Sequence, residues 1–313
     1  MKKLNIGIIG SNSFIGSKLC DKLIKTNNFN SLHLFSKSDN KLCLKLSKNI
    51  TFNKIDIKDN LTYKSKFKDI DIIYYLVSES IPSSTWNNPS YEFTNNVIPF
   101  IELMEEISSS NVKKIIFSSS AGTIYGSSNK KIIENTDKKP FNPYGISKLT
   151  MEHLLEFYKV KNNINYIIFR ISNIYGYGQN TSNGLGLINT ILEKSINKKP
   201  ITIFGDGTII RNYIYIDDVI EILTKSLKKS LNETTILNLA SNDNLSINQI
   251  INIIKKSTNL ELQIEYTNQR KSDNPKILIN NNKISSFFDD FKFTDINAGI
   301  DKTLKNYYSK ISL

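Results

Sequence analysis

The sequence predicts an α/β protein, built as a doubly wound parallel sheet followed by a smaller, mixed α/β C-terminal domain. Three observations carry this. Short apolar runs alternate with longer amphipathic segments through the first half, a glycine-containing turn separates the first run from the first amphipathic segment, and the alternation loosens after Ile174. Strands that alternate with helices need crossover connections, and crossovers make a parallel sheet covered on both faces. With 313 residues, the chain exceeds the usual size of a single core.

Taken in order, residues 4–9 form an apolar run of strand length, and 14–24 carry Phe14, Ile15, Leu19 and Leu23 at helical spacing. Strands are predicted at 31–35, 50–55 and 71–77, then a helix over 91–108. A strand at 113–118, a helix at 144–160 and a strand at 165–171 complete the regular part. Beyond Ile174, polar stretches (176–186, 205–208) alternate with helices at 187–197 and 217–228, and a last helix covers about 296–310. The expected division is residues 1–173 for the first domain and 174–313 for most of the second, with residues 209–240 returning in part to the first sheet. No Pro/Ser-rich linker separates them.

Composition narrows the function classes. The formal charge is +12, but the lysines are spread along the whole chain among many Asn and Ile, without a basic block interleaved with aromatics. That argues against a nucleic-acid partner and for a mild positive field that favours an anionic substrate. Cys20 and Cys43 give neither a disulfide framework nor metal-ligand spacing, and His33 and His153 stand far apart without ligand partners, so no metal is expected. Lys2 and Lys3 precede an apolar run that Asn5 and Ser11–Ser13 interrupt, which reads as strand, turn and helix rather than a leader. With no apolar run near the ~20 residues that span a bilayer, the expectation is a cytoplasmic protein.

Between the first strand and helix lies Gly7-Ile8-Ile9-Gly10-Ser11-Asn12-Ser13-Phe14-Ile15-Gly16. Glycines here permit close approach of the backbone, and the helix start offers amides and a positive dipole end to a pyrophosphate. This predicts a Rossmann-type dinucleotide cradle at Gly10, Ser13, Phe14, Ile15 and Gly16, although Ser13 occupies the middle glycine position. Such sites usually hold the adenosine ribose with an acid at the end of the second strand. Here that end reads Phe35-Ser36-Lys37-Ser38, so Ser36 and Lys37 admit a 2′-phosphate and leave NAD and NADP both open; Lys37 as a plain surface lysine is the alternative. Asp56, followed by Ile57, is the expected partner of the adenine amino group, and Leu76 ends the fourth strand beside the cofactor.

Asn142-Pro143-Tyr144-Gly145-Ile146-Ser147-Lys148 sets Tyr144 and Lys148 four apart at a helix start, on one face. A free tyrosine, with pKa near ~10, is a poor base at neutral pH, and a neighbouring ammonium favours its phenolate. The same lysine can hold the nicotinamide ribose. Upstream, Phe117-Ser118-Ser119-Ser120-Ala121-Gly122-Thr123-Ile124-Tyr125-Gly126 brings hydroxyls to the carboxyl end of a parallel strand, where such sheets bind ligands.

Together with Asn96-Val97, Arg170-Ile171-Ser172-Asn173-Ile174-Tyr175-Gly176, Phe204-Gly205-Asp206-Gly207 and Arg211-Asn212-Tyr213-Ile214-Tyr215-Ile216-Asp217-Asp218-Val219, these segments resemble the extended short-chain dehydrogenase/reductases of the NAD-dependent epimerase/dehydratase group, and the UDP-glucose 4-epimerase-like members most. The resemblance implies a nucleoside-diphosphate sugar as substrate and a homodimer built through helices such as 91–108 and 144–160. It further implies that Tyr144 and Lys148 are the catalytic pair, that Arg211 and Arg270 meet the diphosphate, and that Asn173 lies at the substrate. Asp273 fits the same pattern beside Arg270, and Trp86 is a candidate for the sugar pocket or for packing. Two departures matter. Ala121 stands where the family's usual Ser or Thr would be, leaving Ser120 and Thr123 as alternative catalytic hydroxyls. The acidic pair of the dehydratases is missing from Ala121-Gly122-Thr123, so a 4-epimerase is expected, with an NADPH-dependent 4-keto-sugar reductase as the rival and a non-catalytic nucleotide sensor as a distant third.

Overall fold

A computed structural model describes residues 3–39, 48–182, 184, 186–258, 262–269 and 276–311. Twelve strands are described: β1 Asn5–Ile9, β2 Ser31–Ser36, β3 Ile50–Lys54, β4 Ile72–Tyr75, β5 Lys114–Ser120, β6 Asn165–Ile171, β7 Asn173–Tyr175, β8 Ile201–Phe204, β9 Ile210–Tyr215, β10 Thr235–Leu239, β11 Asn244–Ser246 and β12 Ile264–Thr267. The helices are α1 Phe14–Thr26, α2 Pro89–Glu92, α3 Ile98–Ser108, α4 Ala121–Ile124, α5 Pro143–Asn162, α6 Leu187–Ile196, α7 Ile216–Ser226, α8 Ile247–Thr258, α9 Asn282–Phe287 and α10 Ile296–Ile311. A π-helical turn, Phe93–Val97, joins α2 to α3, so the helix predicted over 91–108 is one segment with a wide turn inside it.

Seven strands form the main sheet in the order β10-β6-β5-β4-β1-β2-β3. The pairs β1–β2, β2–β3, β1–β4 and β4–β5 run parallel, with Ile9 opposite both Phe35 and Tyr75. Strand order reverses between β1 and β4, which makes the carboxyl ends of these two strands the crevice where a doubly wound sheet binds its ligand. Tyr75, Phe100 and Phe117 pack as a ring cluster with centroids 5.1–5.8 Å apart, inside a core that also holds Phe35, Phe67, Leu103, Leu155 and Ile168.

The chain divides into two compact units. The first comprises residues 1–124, 140–170 and 220–237, and the second 125–139, 171–219 and 238–313. Residues 220–237, within the expected returning stretch 209–240, group with the first unit, and 125–139 with the second. In that unit β11, β9 and β7 form a three-stranded sheet and β12 pairs with β8. The sequence reading passed over α8, although Ile247, Ile250, Ile251 and Ile254 have perfect helical spacing and the last three are buried. It also passed over the short strands β7 to β12.

No helix among the described residues is long and apolar enough to cross a membrane, and no group of three His, Cys, Asp or Glu among them is placed to hold a metal. Cys20 is buried and Cys43 lies outside the described residues. His33 bridges Ser31 and Thr51 on the sheet, and His153 lies on the surface of α5 beside Glu156.

Candidate active site

The turn after β1 is packed closely against the protein's own backbone. Gly10 has φ +90, and a Cβ there would meet Leu76 O at 3.0 Å; one on Gly16 would lie 2.1 Å from Gly10 O. Alanine at position 16 would therefore push the helix away from the turn. Ser13, by contrast, sits at φ −70 and ψ 168, which any residue adopts, and its hydroxyl accepts from Gly16 N at 3.0 Å. The serine in the middle glycine position is thus the N-cap of α1, a role for which serine is among the preferred residues. The amides of Phe14 and Ile15, the first helical residues, stay outside this capping network and head the helix dipole. Crowded glycines, a dipole end and uncommitted amides fit a dinucleotide pyrophosphate.

Asn12, which the sequence reading did not single out, ties this turn to the end of β2. Its Nδ2 donates to Ser38 Oγ and Asp39 O, both at 2.8 Å. Between β2 and β3, Lys37 Nζ and Asp56 Oδ2 form an ion pair at 3.0 Å. The hydrogen bond to Asp56 raises the Lys37 pKa. Burial works against ionisation of Asp56, but the Lys58 amide and the Lys37 ammonium outweigh it and hold the carboxyl below its ordinary value. The two side chains assigned from sequence to separate parts of the adenosine are one pair. Ile57 and Leu76 are buried, with the Leu76 amide bonded to Ile9 O.

Across the switch point, α5 begins with Asn142 as N-cap, its Oδ1 accepting from Gly145 N at 2.7 Å, and with Pro143 in the first turn. Gly145 is required because a Cβ there would lie 2.5 Å from Thr123 O, so α5 starts in contact with α4, the short helix that directly follows β5. This places Tyr144 and Lys148 on the face turned toward that strand. Lys148 is 3 % exposed, bonds Ser118 O at 3.3 Å and lies over the Phe117 and Tyr144 rings at 5.2 and 5.7 Å. Burial lowers its pKa to about 8, against the opposing pull of Glu92 and Glu152.

The sequence argument had the ammonium drawing the Tyr144 pKa down. In the structure burial pushes it up to about 12, with a hydrogen bond to Ser78 working the other way and Glu92 adding to the rise. The reason is geometric: the Lys148 nitrogen is turned to the Ser118 carbonyl and meets Tyr144 through its ring.

The hydroxyls at the end of β5 divide by their partners. Ser118 bonds Tyr75 O, and Ser119 bonds Glu152 Oε1 at 2.6 Å, which commits it to the interior. Glu152 also holds Arg170 of β6 in a buried, forked pair, with Nη2 to Oε2 at 2.6 Å. Ser120 is half-buried. Thr123 is 6 % exposed, and its Oγ1 has no hydrogen-bond partner within the protein. Trp86, in the loop after β4, packs edge-on against Phe141 with centroids 6.2 Å apart; both rings are 38 % exposed.

Two of the predicted substrate residues lie in the second unit, where Asn173 on β7 donates to Asn212 O of β9 at 2.9 Å and Arg211 precedes Asn212 on that strand. Asn212 is buried and clasps Ser241 through both ends of its amide. A carboxylate there would lose the donor that Ser241 O receives. Arg270 and Asp273 lie outside the described residues.

Residues 6–240 match the model of the NAD dependent epimerase/dehydratase family. The chain belongs to that family. It is accordingly an NAD(P)-dependent enzyme whose relatives are epimerases and reductases of nucleotide sugars. A Methanocaldococcus jannaschii protein, provisionally assigned as a UDP-glucose 4-epimerase, is 30% identical over 285 residues, 89% of this chain and 90% of the relative. The dTDP-4-dehydro-6-deoxyglucose reductase of Escherichia coli is 28% identical over 77% of this chain and 76% of its own. Among solved structures, the UDP-glucose 4-epimerase of Thermotoga maritima with UDP-glucose superposes with a TM-score of 0.88 at 26% identity, over 98% of this chain and all of that one.

Proposed function

We propose that the chain is a 4-epimerase of a UDP-hexose or closely related nucleotide sugar, working by transient oxidation at C4. The observation that carries this reading over the reductase is the Lys37–Asp56 ion pair. A lysine free to take a 2′-phosphate would favour NADP and a cofactor that exchanges. With Asp56 3.0 Å away, a 2′-phosphate has to compete with a carboxylate for the same ammonium.

In this reading Gly10, Ser13, Phe14, Ile15 and Gly16 hold the pyrophosphate, with Ile57 and Leu76 lining the adenosine side. When bound, NAD would supply the acceptor and donor of hydride at the sugar carbon. Lys148, whose buried ammonium is still charged at neutral pH, would anchor the nicotinamide ribose. Tyr144 removes the C4 hydroxyl proton and returns it after the keto sugar has turned over. Thr123 is the better supported partner hydroxyl because its Oγ1 is buried and unpaired, and Ser120 is the other candidate. Asn173, Arg211 and Arg270 are assigned to the nucleotide sugar, and Trp86 with Phe141 to the sugar's outer face. The guanidinium fork matches diphosphate oxygens. A homodimer through α3 and α5 is supported by the exposed apolar Ile98, Phe157 and Val160 on those helices.

The purified protein is expected to carry NAD and to interconvert C4 epimers of a UDP-hexose without added cofactor. Mass spectrometry of the released nucleotide, with a coupled assay for the epimer, checks both. Stoichiometric consumption of NADPH with a 4-keto sugar would overturn the epimerase in favour of the reductase.

A further inference from the structure

Glu92, the last residue of α2, takes no part in the steps above, yet its side chain is fully shielded from solvent. One carboxylate oxygen accepts from Thr85 Oγ1 at 2.8 Å, and the other from Asn96 Nδ2 at 2.9 Å and Ser147 Oγ at 3.1 Å. All three partners are buried. Asn96 carries the network further: its Nδ2 also reaches Ser80 Oγ at 3.1 Å, and its Oδ1 accepts from Glu79 N at 2.9 Å. One carboxylate therefore gathers the loop after β4, the π-helical turn and the first turn of α5. Ser147 lies between Tyr144 and Lys148 in the chain and bonds Tyr144 O at 2.9 Å as well.

Every hydrogen bond given for this carboxylate comes from a neutral donor. Burying a carboxylate without a bonded cation is costly, and an apolar side chain would pack the same space more cheaply. We propose that Glu92 is a positioning residue for the Tyr144–Lys148 pair, tying α5 to the loop after β4 and laying a fixed negative charge beside both side chains. The inference rests on the catalytic reading of that pair given above.

The charge acts on both partners with one sign. It adds to the rise that burial imposes on Tyr144, and it opposes the fall that burial imposes on Lys148. Around the pair, Ser78 comes from the loop after β4 and Glu152 from α5 itself, where it is bound to Arg170 of β6. Glu92 is the acid that acts on both members. Removing its charge lets the phenol ionise at lower pH and releases the ammonium proton at lower pH. Both limbs of a pH–activity profile then move toward acid together, whereas a residue that only packs would leave the midpoints in place.

The test is Glu92→Gln in the full chain saturated with NAD. Its first readout is the ultraviolet absorbance titration of Tyr144, taken as the difference from Tyr144→Phe in each background, which needs no turnover. The second is the pH profile of kcat. The Tyr144 midpoint is expected to fall by about one pH unit, a tenfold change in its ionisation constant, with both limbs of the profile following. An unchanged midpoint overturns the proposal. Failure of the catalytic reading looks different: Tyr144→Phe would turn over normally while the midpoint still moved. Should Glu92→Gln not fold, Glu92→Asp carries the test, since it keeps the charge and shortens the reach. The expected result is a wild-type midpoint with kcat lowered roughly tenfold, and a wild-type kcat would overturn the positioning role.

Discussion

Tyr144→Phe should lower turnover by roughly 10²–10⁴-fold, the range that a positioned acid–base group supplies, while NAD binding and the folded state stay intact. The ring keeps its place under the Lys148 ammonium, because that contact is with the ring face and the lysine nitrogen is bonded to Ser118 O. The lost hydroxyl leaves Ser78 with its own acceptor, the Ser80 carbonyl, so no buried polar group is stranded. The deficit should fall on kcat, with the Kd for NAD within error of wild type. Turnover near the wild-type rate would remove Tyr144 from the chemistry and, with it, the mechanism.

The largest effect on stability is expected at Glu152. Its carboxylate is 2 % exposed and receives both the Arg170 fork and the Ser119 hydroxyl. Glu152→Ala would remove the forked partner of a guanidinium that is 1 % exposed, together with the acceptor of the Ser119 hydroxyl. Breaking a buried pair from one side costs about 3–5 kcal/mol. Urea unfolding should show that loss as a lower midpoint at unchanged slope. Glu152→Leu combined with Arg170→Met should recover most of it, because neither charge of this pair is then left buried without the other. A single variant within about 1 kcal/mol of wild type would mean that water reaches the pair.

The sheet and its flanking helices were legible because each long element carries its own period and its own punctuation. The run Asn5–Ile9, the Gly10–Gly16 turn and the Asn142-Pro143 cap can all be read locally, and they place Tyr144 and Lys148 on one face with no knowledge of the fold. What escaped depends on partners distant in sequence. Lys37 and Asp56 read as two independent ligands because nothing local says that β2 and β3 lie side by side with Ser36 opposite Lys54. Glu152 and Arg170 fall on a helix and a strand as unremarkable charges, and only the packing of α5 on the sheet makes them a buried pair. Ser78 had one available signal, its place just after the carboxyl end of β4 at the edge of the switch point, and Glu92, on α2, had none. The Tyr144 pKa was argued from a neighbour's charge, but burial, invisible in a list of residues, is the larger effect.

The shielding of Lys148 has a thermodynamic side. In the unfolded chain this amine keeps lysine's ordinary pKa of 10.5, and in the fold it titrates at about 8. Below about pH 8 both states hold the proton and the fold bears the whole penalty of an ammonium cut off from water. Between about 8 and 10.5 the unfolded chain binds more protons than the folded one, so the Lys148 contribution to stability rises with pH. The enzyme thus works in the range where this residue weakens it most. Proton uptake on unfolding, measured by calorimetry in buffers of different ionisation heat, is the direct record of that tension between a working site and a stable one.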